Sequence, residues 1–251
     1  MKVRESGMPE ENMWKGFFKP EKVLKILQLD KSIRDVADFG CGYGTFTIPA
    51  AKIVGGKVYA IDLDPEMIKE TERKVREKKL GNVETILRDF VSNGSGLKDE
   101  CVDYVMLFNI LHTDKPEKLL REAYRILRNG GKLGIIHWNY DSATPRGPPM
   151  EIRPKPEQCI EWATNSGFNH PIKYDLKPYH YGIVIAVAVF LLLGMFGFGG
   201  MMGGYGMMGN WNYGFGGMWI FGFLFMTLIL VALVLFILWL IKQLQNDNKK
   251  R

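Results

Sequence analysis

The sequence predicts a doubly wound α/β sheet of seven strands, followed by an α-helical hairpin in a membrane. Three observations predict it. Apolar runs of strand length alternate with helix-length segments from about residue 34 to residue 184, the pattern of a parallel sheet covered on both faces. A Gly-x-Gly-x-Gly turn follows the first run, and an acidic cluster closes the second. A block of 60 residues, 182–241, contains no Asp, Glu, Lys, Arg or His, so the chain has two parts suited to two solvents.

The elements follow in order. Residues 10–29 carry Trp14, Phe17, Phe18, Val23, Leu24, Ile26 and Leu27 in an amphipathic pattern broken or restarted at Pro20, and residues 1–32 read as a helical cap. Strands are predicted over 34–39, 57–62, 82–88, 102–109 and 132–138. Helices are predicted over 46–53, 65–79 and 116–127, the last stopped by Asn129, Gly130 and Gly131. Residues 139–156 hold Pro145, Pro148, Pro149, Pro154 and Pro156 and read as a proline-ordered lid. A helix over 157–166 ends at Gly167. Residues 172–176 and 180–184 form an antiparallel hairpin around Lys177, Pro178 and Tyr179. The α/β domain is thus expected over 33–181.

The first turn reads Asp38-Phe39-Gly40-Cys41-Gly42-Tyr43-Gly44-Thr45, and Asp62 ends the next strand. Glycines remove Cβ atoms where backbone approaches a ligand closely, and they permit the φ values of a tight strand-to-helix turn. A carboxylate about 20 residues on is placed to hold ribose hydroxyls. A dinucleotide fingerprint needs its third glycine at position 45, which is Thr45, and this disfavours a nicotinamide oxidoreductase. No Gly-Lys-Ser/Thr phosphate loop occurs. An acid two residues before the first glycine suits a ligand with a positive centre.

These residues resemble motif I of the class I S-adenosylmethionine-dependent methyltransferases, of the small-molecule, type 11-like kind that includes ubiquinone-biosynthesis methyltransferases. The resemblance covers about residues 10–184 and implies a Rossmann-like sheet whose last two strands form a hairpin. It implies S-adenosyl-L-methionine as cofactor, with Asp38, Gly40, Cys41, Gly42 and Gly44 forming the turn around its methionine part. It implies Asp62 on the ribose, Leu63 and Met67 beside the adenine, Asp89 and Phe90 near the adenine amino group, and Asn109 with Ile110 near the transferable methyl. Methyl transfer from a sulfonium needs chiefly alignment, with a base only where the acceptor arrives protonated. His112 and His137 are the candidate catalytic bases. Asp103, at the opposite end of its strand, reads as structural. Trp14, Phe17, Phe18, Trp138 and Tyr140 are candidates to line an apolar acceptor pocket, although the same spacing serves a plain core. Strand four ends Asn109-Ile110-Leu111-His112 and lacks the Pro-Pro-aromatic motif of amino-methylating nucleic-acid enzymes. The likeness to arsenite methyltransferases stops at the cofactor fold, because their set of cysteines is missing.

Composition narrows the classes further. The net charge of +6 is spread over the chain, and the mixed-sign run 70–79 reads as an exposed helix face rather than a nucleic-acid surface. Three distant cysteines, Cys41, Cys101 and Cys159, give no zinc or disulfide spacing. The N-terminus shows no apolar secretory run. Residues 218–241 are long enough at about 1.5 Å per residue to cross a hydrocarbon core of about 30 Å, with Trp219 and Trp239 near the ends. Residues 182–200 are expected as a first transmembrane helix, 201–217 as a Gly/Met-rich loop and 242–251 as a basic cytoplasmic tail; the first run overlaps the last strand, and if it only completes the sheet, one crossing remains and the tail lies outside. Methionine thioethers in that loop suit Cu(I), but no Cys or His accompanies them, so no metal site is assigned. The reading is a multi-pass protein of the cell membrane with a cytoplasmic methyltransferase domain and a small-molecule or lipid-like acceptor. The alternative is a non-catalytic, cofactor-binding membrane scaffold or sensor.

Overall fold

The structure is a computed structural model, and it describes residue 11, residues 16–188, 227–231 and 233–235. The chain divides into two units, Met1–Leu192 and Leu193–Arg251. In the first, α1 (Pro20–Ile26) precedes β1 (Val36–Phe39), α2 (Thr47–Ile53), β2 (Val58–Asp62), α3 (Pro65–Glu77), β3 (Val83–Leu87) and α4 (Phe90–Asn93). There follow β4 (Val102–Phe108), α5 (Pro116–Ile126), β5 (Leu127–Trp138), α6 (Pro156–Asn165), β6 (Phe168–Leu176) and β7 (His180–Val187). The strands form one seven-stranded sheet in the order β3-β2-β1-β4-β5-β7-β6. The first five are parallel, and β7 lies antiparallel between β5 and β6.

The two faces bury different partners. Leu107, Ile135 and Ile183 pack with Leu119, Leu120, Ala123 and Ile126 of α5 and with Cys159 and Ala163 of α6. The other face joins Tyr104, Met106, Ile136 and Val184 to Leu24 and Leu27 beside α1 and to Ala50 and Ala51 of α2. Tyr104 Oη donates to the Leu27 carbonyl at 2.8 Å. A Cβ at Gly134 would stand 2.1 Å from that hydroxyl oxygen, so the glycine makes room for the tyrosine. At the strands' amino ends, Asp103 accepts from the amides of Arg34 and Asp35 and from Arg128, the structural role read for it. The charges of α3 pair along the helix, with Arg73 meeting Glu70 and Glu77, and Arg76 meeting Glu72.

Several boundaries differ from the sequence reading. Asn129, Gly130 and Gly131 do not stop a helix before a loop; β5 starts at Leu127 directly after α5, and they form an irregularity opposite Val102 and Tyr104. β6 starts four residues earlier than expected, at Phe168. The largest correction concerns the segment 182–200, expected as a transmembrane helix. Gly182–Val187 belong to β7, where Ile183 pairs with Ile135 and Ala186 with Lys132. A strand covered on both faces is as continuously apolar as a membrane span, which is why the two were confused. The sheet domain therefore runs past residue 181.

Trp14, the loop 201–217 and the tail 242–251 lie outside the described residues, as does most of 218–241. The described part of that last segment is helical, and Leu228, Ile229, Leu230, Val231, Leu233, Val234 and Leu235 are all exposed. Among the described residues no helix is long and apolar enough to cross a membrane.

Candidate active site at the carboxyl ends of the strands

Strand order reverses between β1 and β4, and open α/β sheets bind ligands in the crevice at such a switch point. The turn after β1 lies there. Gly40, Gly42 and Gly44 have φ of 71°, 52° and 71°, a left-handed run that only glycine adopts without strain. A Cβ at Gly40 would meet Ile110 Cγ2 at 3.1 Å. The turn's amides are already engaged. Gly40 and Cys41 donate to the Ile61 carbonyl, Gly44 donates to Cys41, and Gly42 donates to Asp62 Oδ2 at 2.8 Å. The glycines thus supply bare backbone surface, and the charge comes from elsewhere.

That charge is a pair of carboxylates. Asp38 is buried, and its Oδ2 accepts from Thr47 Oγ1 at 2.6 Å. Asp62 is buried and divides its oxygens, Oδ2 to Gly42 N and Oδ1 to Asp64 N at 2.9 Å. Neither acid meets a Lys, Arg or His among the described residues. Burial pushes the Asp38 carboxyl up to about 7; the Thr47 hydrogen bond opposes that and the nearby Asp62 adds to it. Burial also raises Asp62, against the amides of Asp64 and Gly42. A glycine cradle with two uncompensated buried acids fits a cationic, ribose-bearing ligand such as S-adenosylmethionine.

The other residues expected around the cofactor are arranged less uniformly. Leu63 and Met67 are half-buried at the carboxyl end of β2 and the start of α3. Phe90 is buried and stacks on Phe39 with ring centroids 5.4 Å apart. Asp89 caps the short α4, its Oδ1 accepting from Val91 N and Ser92 N at 3.1 and 3.0 Å, and the bonds from Ser92 hold its carboxyl below the usual range. That capping bond, invisible in the sequence, occupies part of the carboxylate expected at the adenine. Cys41, expected in the turn, buries its side chain. Its thiol packs with Ala60 and Ile68, and its Sγ lies 3.9 Å from Thr71 Oγ1.

The β4–β5–β7 side is built differently. Asn109 takes a left-handed φ of 57° while its amide donates to Ile136. Both polar atoms of its side chain are buried without a partner. His112 Nδ1 lies 3.3 Å from His137 Nε2, so the structure brings the two candidate bases together. Burial alone lowers His112 to about 4, and burial first, then the charges of His112, His180 and Arg153, hold His137 well below the ordinary range. His180, which the sequence reading missed, is lowered by burial to about 3 and sits 4.2 Å from the Trp138 ring. Phe17, Phe18 and Trp138 gather as expected, but with Phe46, Phe108 and Tyr179. Tyr140 stands apart, exposed beneath Lys155 Nζ at 4.7 Å. The missed residues come from separate turns and strands, and only the register of β7 against β5 puts His180 beside Trp138.

In the proline-rich strap 139–154 one side chain makes several of the hydrogen bonds. Arg153 is buried and makes no ion pair among the described residues. Its Nε and Nη2 both reach the Pro148 carbonyl, and Nη1 reaches the carbonyls of Asn139 and Asp141 and the hydroxyl of Thr144.

Residues 36–131 match the family model described as "Methyltransferase domain". The chain is 31% identical over 120 residues to a demethylmenaquinone methyltransferase of Geobacillus sp. (strain WCH70), covering 45% of this chain and 48% of that protein. It is 30% identical over 135 residues to the protein of the same name from Listeria welshimeri, covering 52% of it. The chain therefore spans about half the length of the curated relatives it matches. A crystal structure of a SAM-dependent methyltransferase from Aquifex aeolicus superposes with TM-score 0.64 at 28% identity, over 71% of this chain and 94% of that one. The fold of the two is the same.

Proposed function

We propose, from the match of residues 36–131 to the methyltransferase-domain model, that the chain transfers a methyl group from S-adenosyl-L-methionine to a small-molecule or lipid-like acceptor. One observation carries the reading. Asp38 and Asp62 are buried without a cation beside a turn of three left-handed glycines. When bound, the cofactor supplies an activated methyl group on a positive sulfur. Asp62 would accept from the ribose hydroxyls with the lone pairs that Gly42 and Asp64 leave. Asp38 offers negative charge, and Gly40 with Gly42 gives clearance for the ligand. Ile110, beside Gly40, and Asn109 would border the methyl. The name of the Geobacillus and Listeria relatives supports a small-molecule acceptor.

Titration calorimetry with S-adenosylmethionine tests the reading. Binding by the native chain, weakened on the order of tenfold or more in Asp62→Ala, is expected. No heat of binding to the native chain would refute it.

The C-terminal region supports membrane attachment of the domain. Residues 218–241 are uncharged throughout, and the described part of that helix exposes apolar side chains in succession, which suits lipid. The proposal is one anchoring span at the cell membrane, with the methyltransferase domain in the cytoplasm. The hairpin expected from the sequence needs a second span, and β7 leaves only residues 188–200 for it before the Gly/Met-rich stretch. As a helix those would reach about 20 Å of a core about 30 Å thick. The full chain should stay with membranes through an alkaline carbonate wash; recovery in the supernatant would overturn the anchor.

A further inference from the structure

We propose that the strap 139–154 docks on the surface of the membrane that holds the chain, seating the side chains of Tyr140 and Ile152 in the lipid interface. The inference rests on the membrane-anchor reading above and adds the surface by which the sheet domain meets the bilayer.

The strap carries suitable side chains. Outside the C-terminal helix, the exposed large apolar residues among the described ones are Leu87, Tyr140, Ile152 and Ile172. Two of these stand on this one stretch. They are neighbours in space, because Arg153, next to Ile152, bonds through Nη1 to the carbonyls of Asn139 and Asp141 on either side of Tyr140. Pro145 and Pro149 are exposed on the same stretch. Lys155 Nζ stands 4.7 Å over the Tyr140 ring. Tyrosine has an apolar body and a polar tip, and lysine lays its stem along apolar surface while its head stays wet. Both suit a membrane interface.

The backbone is prepared as well. A non-helical segment enters an apolar medium only where its own polar groups are satisfied. Arg153 donates to the carbonyls of Asn139, Asp141 and Pro148 from within. Pro145, Pro148 and Pro149 have no N–H to satisfy. The amides of Asn139, Asp141, Ala143, Thr144, Ile152 and Arg153 all donate within the domain. The strap therefore sheds water at a smaller backbone penalty than an ordinary loop.

The chain beyond the sheet selects lipid as the occupant. β7 runs antiparallel to β5 and brings the chain to the amino ends of the parallel strands, with Ala186 opposite Lys132. The strap lies at the other end, just after Trp138, and a Cβ at Gly147 would stand 2.9 Å from Trp138 Cγ. Residues 188–217 separate β7 from the apolar run 218–241. Their greatest reach is about 100 Å, against about 40 Å across a domain of this length. The tether is thus long enough for the carboxyl-end face to meet the bilayer. It also makes that contact intramolecular, which raises its effective concentration. A patch too small to hold a soluble protein on lipid suffices when the chain is already anchored. Docked so, the strap sets the Trp138 rim of the crevice at the lipid surface.

The test uses the full chain in nanodiscs of equimolar phosphatidylcholine and phosphatidylglycerol. Cys101→Ser removes the half-buried native thiol, and Cys41 and Cys159 are buried. A nitrobenzoxadiazole label is then placed through Tyr140→Cys or Ile152→Cys, and through Ile172→Cys as control. Ile152 and Ile172 are matched in exposure, at 48% and 47%, and differ in that only the first is on the strap. The expected result is that nitroxide-bearing lipid quenches the labels at 140 and 152 while aqueous iodide does not, and that the label at 172 behaves in the opposite way. Labels at 140 and 152 that iodide quenches and nitroxide lipid leaves alone would overturn the docking and leave the anchor standing. Equal lipid quenching at 172 would overturn it too, since the contact would not belong to the strap. A chain that does not co-elute with the discs refutes the anchor, and the docking with it.

Discussion

The two halves of the crevice solve opposite problems. On the β1–β2 side nearly every polar group has a partner. The amides of the glycine turn are bonded, and Asp62 accepts two of them or their neighbours. What is missing there is positive charge. On the β4–β5–β7 side, among the described residues, what is missing is hydrogen-bond partners for both side-chain polar atoms of Asn109 and His180 and for one ring nitrogen each of His112 and His137. The first half is thus finished for one invariant ligand. The second is left open for a ligand whose polar groups complete it.

Substitutions can break that contrast, and the largest effect is expected at Gly42. Its φ of 52° costs a β-branched residue on the order of 1–2 kcal/mol, and the new Cβ occupies ligand space. Gly42→Val should abolish measurable S-adenosylmethionine binding while chemical denaturation shows a smaller loss of stability. Normal binding would detach the turn from the cofactor.

Asp62→Ala comes next. It removes a charge-assisted bond worth about 1.5–3 kcal/mol to the ligand, so calorimetry should show affinity falling on the order of tenfold or more. Because Asp62 also ties Gly42 to β2, the variant should unfold earlier in urea. Loss of stability with affinity intact would make Asp62 a purely structural group.

Asp38 separates the two roles by pH. Its folded value of about 7 lies above the 3.8 of an unfolded Asp, so the stability it contributes is complete below about pH 4 and is lost as pH rises to about 7. Asp38→Asn should therefore stabilise the ligand-free protein at pH 8, on the order of 2–4 kcal/mol, and change little at pH 4. It should also weaken cofactor binding. Urea melts at the two pH values check the sign; stabilisation confined to low pH would reverse the argument.

The smallest effect belongs to Asp89. Losing its cap in Asp89→Ala should cost about 0.5–2 kcal/mol of stability, with cofactor affinity changed less than in Asp62→Ala. An affinity loss larger than that of Asp62→Ala would return Asp89 to the adenine.

What could be read from the sequence follows the same division. The glycine turn and Asp62 are separated by one helix and one strand, so their spacing along the chain nearly fixes their spacing in the fold. The β–α alternation was legible for the same reason. His180, Phe46 and Phe108 were missed because they meet only through sheet register and turn packing. The cap that Asp89 makes was not legible because a helix of four residues leaves no periodicity to announce it. The end of β7 could not be separated from a membrane span because a central strand and a lipid-facing helix are written in the same residues.

The strap 139–154 has a consequence of an evolutionary kind. Apart from Thr144, Arg153 holds it by main-chain carbonyls, and carbonyls are the same whatever residue bears them. The lock is blind to the side chains it secures. The carbonyls of Asn139, Asp141 and Pro148 would be there whatever residues stood at those positions, so as far as this lock is concerned their side chains can change while the Arg153 contacts persist, whereas Gly147, with a left-handed φ of 121° against Arg153, cannot.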